Sequence, residues 1–183
     1  MRSKKDQKIY DKTKRYLEKK GDKDISKKMK VIDSVLEHKD KKERYSYLYD
    51  LICDYLDQEF RSKNICGFSN NLCRRRCDMM ERNIKKDTYL NGCCHSYSEG
   101  KDCEHLTSNG CGIKNIACKT YTCFYLRKRG YRYTLDNIYL SRYFFNRRQK
   151  FYIENTHFVD KSVIMKGILE RDFMLKKRKI KEV

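Results

Sequence analysis

Apolar side chains recur at helical spacing through the first sixty residues of the chain. Ile9, Thr13, Tyr16 and Leu17 fall on one face of a short helix that Gly21 ends. Ile25, Met29, Ile32 and Leu36 make a second stripe at steps of three and four. Tyr45, Leu48, Tyr49, Ile52, Leu56 and Phe60 make a third and stronger one that runs to about Arg61. Cys53 lies beside this last stripe and reads as a buried thiol. The helical pattern returns late in the chain. Leu135, Ile138 and Tyr139 predict a helix starting after Thr134, a residue suited to an N-cap. Ile164, Ile168, Leu169 and Phe173 predict a final helix that frays into the solvated tail Lys176–Lys181.

The middle of the chain has a different character. Gly67, Asn70, Asn71, Asn91, Gly92, Gly100, Asn109, Gly110 and Gly112 divide it into short loops and turns. One helical turn near Cys73–Arg82 would put Cys73 and Cys77 on a shared face. Apolar side chains are too few between 91 and 123 to bury a conventional core, and no internal repeat is evident. The expected fold is mainly α, with N- and C-terminal helices around a loop-rich, metal-stabilised cysteine centre. Its three parts are a basic helical region (1–62), a cysteine-cluster metal-binding centre (63–124) and a basic, aromatic-rich helical region (125–183). Together they are expected to form one compact domain.

The cysteines explain what replaces the missing core. Nine of the ten lie between Cys66 and Cys123, and a bound metal supplies folding energy where hydrophobic burial cannot. No apolar run approaches the ~20 residues of a membrane helix. Residues 1–20 carry charge where a secretory leader is apolar, so the expected location is cytoplasmic. In that reducing environment thiols bind metal or do redox chemistry instead of pairing. From Cys93 the spacing is CC-x8-C-x7-C-x6-C-x4-C, preceded by Cys73-x3-Cys77. Paired C-x2-C units of a finger or ribbon are absent, which suits a site assembled from several loops. The candidate ligands are Cys73, Cys77, Cys93, Cys94, Cys103, Cys111, Cys118 and Cys123. One 4Fe-4S iron–sulfur cluster takes about four thiolates and two structural zinc ions take about eight ligands, so this set suits either. His95 and His105 stand among the cysteines as ligands, as outer hydrogen-bond donors or as plain surface histidines.

Adjacent Cys93-Cys94, then Cys103-x2-Leu106, Gly110-Cys111-x-Ile113 and Cys118-Lys119-x-Tyr121, resemble a bacterial cysteine-cluster family. That family is described as zinc- or iron-chelating, with a CxxCxxCC stretch, and is related to the cluster domain of flagellin lysine methylases. The resemblance spans roughly Cys73 to Phe124. It implies a metal held by Cys93, Cys94, Cys103, Cys111 and Cys118, with an iron–sulfur cluster in a structural, redox or sensing role. The chain differs from the family pattern in having Lys119 where Arg is usual, no proline, and fifteen residues between Cys77 and the Cys93 pair.

Charge adds a second candidate. The formal net charge is +19, of which +10 belongs to residues 121–183, where 16 basic side chains face 6 acidic ones. Arg127, Lys128, Arg129, Arg132, Arg142, Arg147 and Arg148 are interleaved with tyrosine and phenylalanine. Cations that neutralise phosphates and rings that stack on bases are what single-stranded nucleic acid requires. The same rings also serve as core where leucine and valine are scarce. A basic nucleic-acid-binding protein with a structural zinc or iron–sulfur site is therefore the alternative function, with nucleic acid or another polyanion as the expected partner of the C-terminal basic region; the sequence names no protein partner. No phosphate-binding glycine loop, dinucleotide fingerprint, zinc-protease helix or nucleophile elbow occurs, so no reaction class is supported by a motif. An enzymatic role, as a methyl- or sulfur-transfer accessory, rests on family analogy alone.

Overall fold

A computed structural model of the protein describes residues 2–65, 68–69, 72–73, 104–107, 110–122, 126–127 and 129–180. It is mainly helical. Helix α1 (Lys4–Lys19) starts at Ser3, whose hydroxyl accepts the Asp6 N–H at 3.1 Å. Gly21 closes it at φ 63°, a left-handed conformation that an L side chain adopts only with strain. Helix α2 (Ile25–Glu37) buries Met29, Ile32, Val35 and Leu36. Helix α3 (Lys41–Lys63) is capped by Asp40, which accepts the Glu43 N–H at 2.9 Å. It ends on Asn64 in the left-handed region. All three helices follow the apolar stripes that predict them.

Helix α3 is the hub. It meets α2, the short helix α4 (Ile116–Thr120) and the last helix α6 (Lys161–Ile180), while α5 (Arg147–Glu154) joins α4 to α6. Three aromatic rings of α3 each meet a ring from residues 133–145. Tyr45 stacks on Phe145 at 5.6 Å, Tyr55 meets Tyr139 edge-on at 5.6 Å, and Phe60 meets Tyr133 at 5.1 Å. Aromatic side chains of the C-terminal region thus furnish part of the core, and burial pushes the Tyr139 hydroxyl up to about 12. Helix α5 opens with a capping box. Asn146 accepts the Arg148 and Gln149 N–H groups, and the Gln149 side chain accepts the Asn146 N–H. Buried Gln149 also donates to the Ile168 carbonyl at 3.0 Å, tying α5 to α6.

Three local expectations are corrected. No α-helix follows Thr134: residues 135–145 form a run of turns. The Ser141 hydroxyl donates to the Leu135 carbonyl at 2.6 Å, occupying an acceptor that a helix would give to a backbone N–H, while the Glu154 carboxylate accepts the Leu135 N–H at 2.7 Å. Ile138, Tyr139, Leu140 and Ser141 are buried in succession, which a one-faced helix cannot do. The second correction concerns the C-terminal helix, which continues to Ile180 instead of fraying before its lysines. The third concerns Cys73, which lies in a two-residue strand, β2 (Leu72–Cys73), paired with β1 (Phe68–Ser69), and not on a helical turn. A second ribbon pairs β3 (Leu106–Thr107) with β4 (Gly110–Cys111).

Candidate metal centre

Of the eight candidate ligands, Cys73, Cys111 and Cys118 fall within the described residues. Cys77, Cys93, Cys94, Cys103 and Cys123 lie outside them, as does His95. Cys111 ends strand β4, and Cys118 sits in α4. Both are half-buried. Among the described residues there is no cluster of three or more cysteine, histidine or carboxylate side chains able to hold a metal ion.

A helix of five residues does not hold itself together in water, so α4 depends on what it docks against. Buried polar groups supply much of that docking. Asn115, with no exposed surface, caps the helix by accepting the Cys118 N–H at 3.0 Å. Its amide group donates to the Thr156 and Val159 carbonyls at 2.9 and 3.1 Å, clamping the loop before α6 onto α4. The Tyr49 hydroxyl accepts the Ile116 N–H at 3.0 Å from the middle of the core. Burial raises the hydroxyl pKa of Tyr49, which keeps it protonated. Ile116 and Ala117 complete the seat with apolar contact.

Charge fixes the same segment from the outside. The Lys119 side chain is 2% exposed, and its ammonium donates to Asp57 at 2.5 Å and to the Cys111 carbonyl at 3.2 Å. Asp50, Asp54 and Asp57 line one face of α3 at steps of four and three. They receive Lys161 (2.7 Å to Asp50) and Lys114 (3.7 Å to Asp54) as well as Lys119. An open cleft of about 500 Å³ between Asp54, Asp57, Gln58, Arg61 and Ser62 leaves Asp57 partly hydrated.

The two kinds of cysteine differ in chemistry. Cys53 has no exposed surface, and burial pushes its thiol up to about 12, with the nearby carboxylates adding to the effect. It is a protonated core residue. The Cys118 sulfur instead accepts the backbone N–H of Phe158 at 3.4 Å. Phe158 adopts φ 57°, a conformation uncommon for an aromatic residue, where its N–H meets the sulfur. An amide donor at a sulfur stabilises its anionic form, the form that binds metal. His157, next along, is half-buried, and burial lowers its pKa, so it is neutral at physiological pH. Its ring meets Tyr121 edge-on at 6.4 Å.

The basic candidates are dispersed in their roles. Arg127, Arg129, Arg132, Arg147 and Arg148 are exposed, while Lys128 is outside the described residues. Arg142 is engaged within the fold. It lies over the Tyr16 ring at 4.6 Å and donates to the Asp136 carbonyl and to the Tyr143 hydroxyl. Sequence reading did not single out Phe151, which is 71% exposed on α5. Its position four residues after Arg147 and three after Arg148 was the available signal.

No family model matches the chain, and neither a curated protein nor a solved structure matches it. Among the described residues no helix is long and apolar enough to cross a membrane.

Proposed function

We propose that the protein binds a thiolate-held metal, an iron–sulfur cluster first and zinc second, in a structural, redox or sensing role. The observation that carries this reading is the polar seat of α4, which fastens a cysteine-rich segment to the helical core and sets an amide donor on the Cys118 sulfur. Amide hydrogen bonds to sulfur and a fixed outer shell are features that tune and orient thiolate ligands. The resemblance of Cys93-Cys94 through Tyr121 to the cysteine-cluster family supports the same reading. Anaerobic purification followed by iron, zinc and sulfide analysis tests it. Stoichiometric iron with sulfide and a visible absorption band is the expected result. Zinc without colour selects the second metal, and a protein free of both overturns the proposal. Cys118→Ser is expected to lower metal content, whereas Cys53→Ala leaves it unchanged.

A second reading is favoured by the exposed face of α5. Phe151 presents a ring to solvent beside exposed Arg147 and Arg148, and Arg171 of α6 stacks over the adjacent Tyr152 at 3.7 Å. Rings between cations suit single-stranded nucleic acid, with the metal then purely structural. Binding to a labelled oligothymidine should weaken steeply with salt, and Arg147→Ala with Arg148→Ala should reduce the slope of log K against log salt by roughly 1.4, about 0.7 per phosphate contact. An unchanged slope removes this face as the contact surface.

A further inference from the structure

Along the sequence, residues 4–20 mix their charges, with eight lysines and arginines against Asp6, Asp11 and Glu18. Winding them into α1 sorts them. Steps of four, four, three and four separate Lys4, Lys8, Lys12, Arg15 and Lys19, which places all five on one face of the helix. At 1.5 Å per residue the row they form is about 22 Å long. All five side chains are exposed, while Ile9, Thr13 and Leu17 are buried on the opposite face. Nearby carboxylates are taken by other cations: Asp6 by Arg44, Asp22 by Lys28 and Asp33 by Arg2. Asp11 and Glu18 lie along one edge of the row. Among the described residues none of its five cations is in an ion pair, and Arg15 donates only to the Asp11 backbone carbonyl, at 3.3 Å.

The row is fixed on the fold by the segment 136–143. The Tyr16 hydroxyl donates to the Asn137 carbonyl at 3.2 Å, and its ring meets Tyr143 edge-on at 6.4 Å. Arg142 lies over both rings, at 4.6 and 5.6 Å, and the Lys12 ammonium is 5.9 Å from the Tyr143 ring. Arg2 covers Tyr10 in the same way at 4.0 Å. The rings of α1 are thus engaged by cations of the fold, and its outer face offers charge. We propose that this face binds the phosphate backbone of double-stranded nucleic acid through Lys4, Lys8, Lys12, Arg15 and Lys19. A duplex is a rigid line of charge, about one per 1.7 Å, and a rigid row of cations releases several of its counterions at once. Single strands draw much of their affinity from stacking on rings, which this face does not present. An anionic lipid surface takes up the apolar face of a basic helix, and that face of α1 is already in the core. Contact through phosphates alone is independent of base sequence. The proposal goes beyond the metal reading and uses neither Arg147, Arg148 nor Phe151.

The test uses the full chain and a labelled duplex of random sequence, with binding followed by fluorescence anisotropy over a salt series. Lys8→Ala, Lys12→Ala and Arg15→Ala together should flatten the slope of log K against log salt by roughly 2.7, about 0.9 per phosphate contact. Lys8→Arg, Lys12→Arg and Arg15→Lys together keep the charge and should keep the slope; a loss as large as that of the alanine variant overturns the proposal. Lys23→Ala, Lys27→Ala and Lys30→Ala together remove as much charge from exposed positions at α2 and should shift the slope by less than one contact. Equal flattening by the two alanine variants means that the duplex senses net charge only, and the site is overturned. Tighter binding of oligothymidine than of the duplex overturns the partner, as does binding to vesicles of anionic phospholipid without binding to the duplex. Arg147→Ala with Arg148→Ala, read on oligothymidine, decides the α5 surface separately, so either surface can fail while the other stands.

Discussion

Helices α3 and α4 touch each other, yet they are held in place by different forces. Helix α3 has 23 residues and buries Tyr45, Leu48, Tyr49, Ile52, Cys53 and Leu56 along one stripe. Helix α4 has five residues, and two of its anchors are polar: Asn115 at its cap and Lys119. Hydrophobic burial is tolerant of geometry and scales with area, so a long amphipathic helix finds its seat from its pattern alone. A buried amide or ammonium contributes only when its partners are at the right distance, and leaving those partners unpaired costs more than the bonds contribute. The segment beside the cysteines is therefore fixed in position more sharply than it is stabilised, as a scaffold for ligands needs to be.

The largest expected effect comes from the apolar side of this contrast. Ile52→Ala removes a fully buried side chain from the middle of α3, and urea denaturation should show a loss of about 4 kcal/mol. Asn115→Ala should follow at about 3 kcal/mol. It removes the cap of α4 and leaves the Thr156 and Val159 carbonyls without a donor. If Asn115→Ala costs less than 1 kcal/mol, α4 is seated by Ile116 and the contrast with α3 disappears.

The same difference in forces explains what the sequence reveals. The stripes of α1, α2 and α3 are legible because a period of 3.6 residues is written in side-chain type. The polar seat is not, because Asn115 and Lys119 look like any loop asparagine and surface lysine until Thr156, Val159 and Asp57 are brought to them across 41, 44 and 62 residues. The misread segment after Thr134 fails for a related reason. Its apolar residues are dense enough to suggest a helix, but four consecutive residues, Ile138 to Ser141, are buried, and Ser141 takes the Leu135 carbonyl that a helix would use. The candidate metal centre is legible as a set of thiols.

The ion pair at Lys119 separates fixing from stabilising. Asp57→Ala strands an ammonium that is 2% exposed, with the Cys111 carbonyl left to accept from it among the described residues. The expected loss is about 2 kcal/mol. Lys119→Met breaks the same pair but leaves the charge on Asp57, which is 32% exposed and stays hydrated, while methionine fills the lysine's apolar track. The expected loss is about 1 kcal/mol. Equal losses from the two variants would mean that the pair acts by mutual attraction alone, and that the burial of Lys119 is not what makes its position demanding.

The smallest effect probes whether the helical region depends on polar ties at all. Asp6 of α1 is nearly buried and accepts from Arg44 of α3 at 2.7 Å. Burial pushes its carboxyl up, but the Arg44 and Ser3 hydrogen bonds and the Arg44 charge pull it down further, leaving it below its ordinary 3.8. A carboxylate whose pKa is lower in the folded chain than in the unfolded one contributes stability at neutral pH. That contribution is complete above the unfolded value and disappears as pH falls through the folded value. Asp6→Asn should therefore cost about 1 kcal/mol or less at pH 7. The gap between variant and parent should close as the pH is taken below 3.8, measured by urea denaturation at each pH. A loss at pH 7 as large as that of Asn115→Ala would place α1 and α3 under the same polar control as α4. A gap that persists in acid would mean that Asn at this position disturbs packing, and that the Arg44 bond is not what holds α1 to α3.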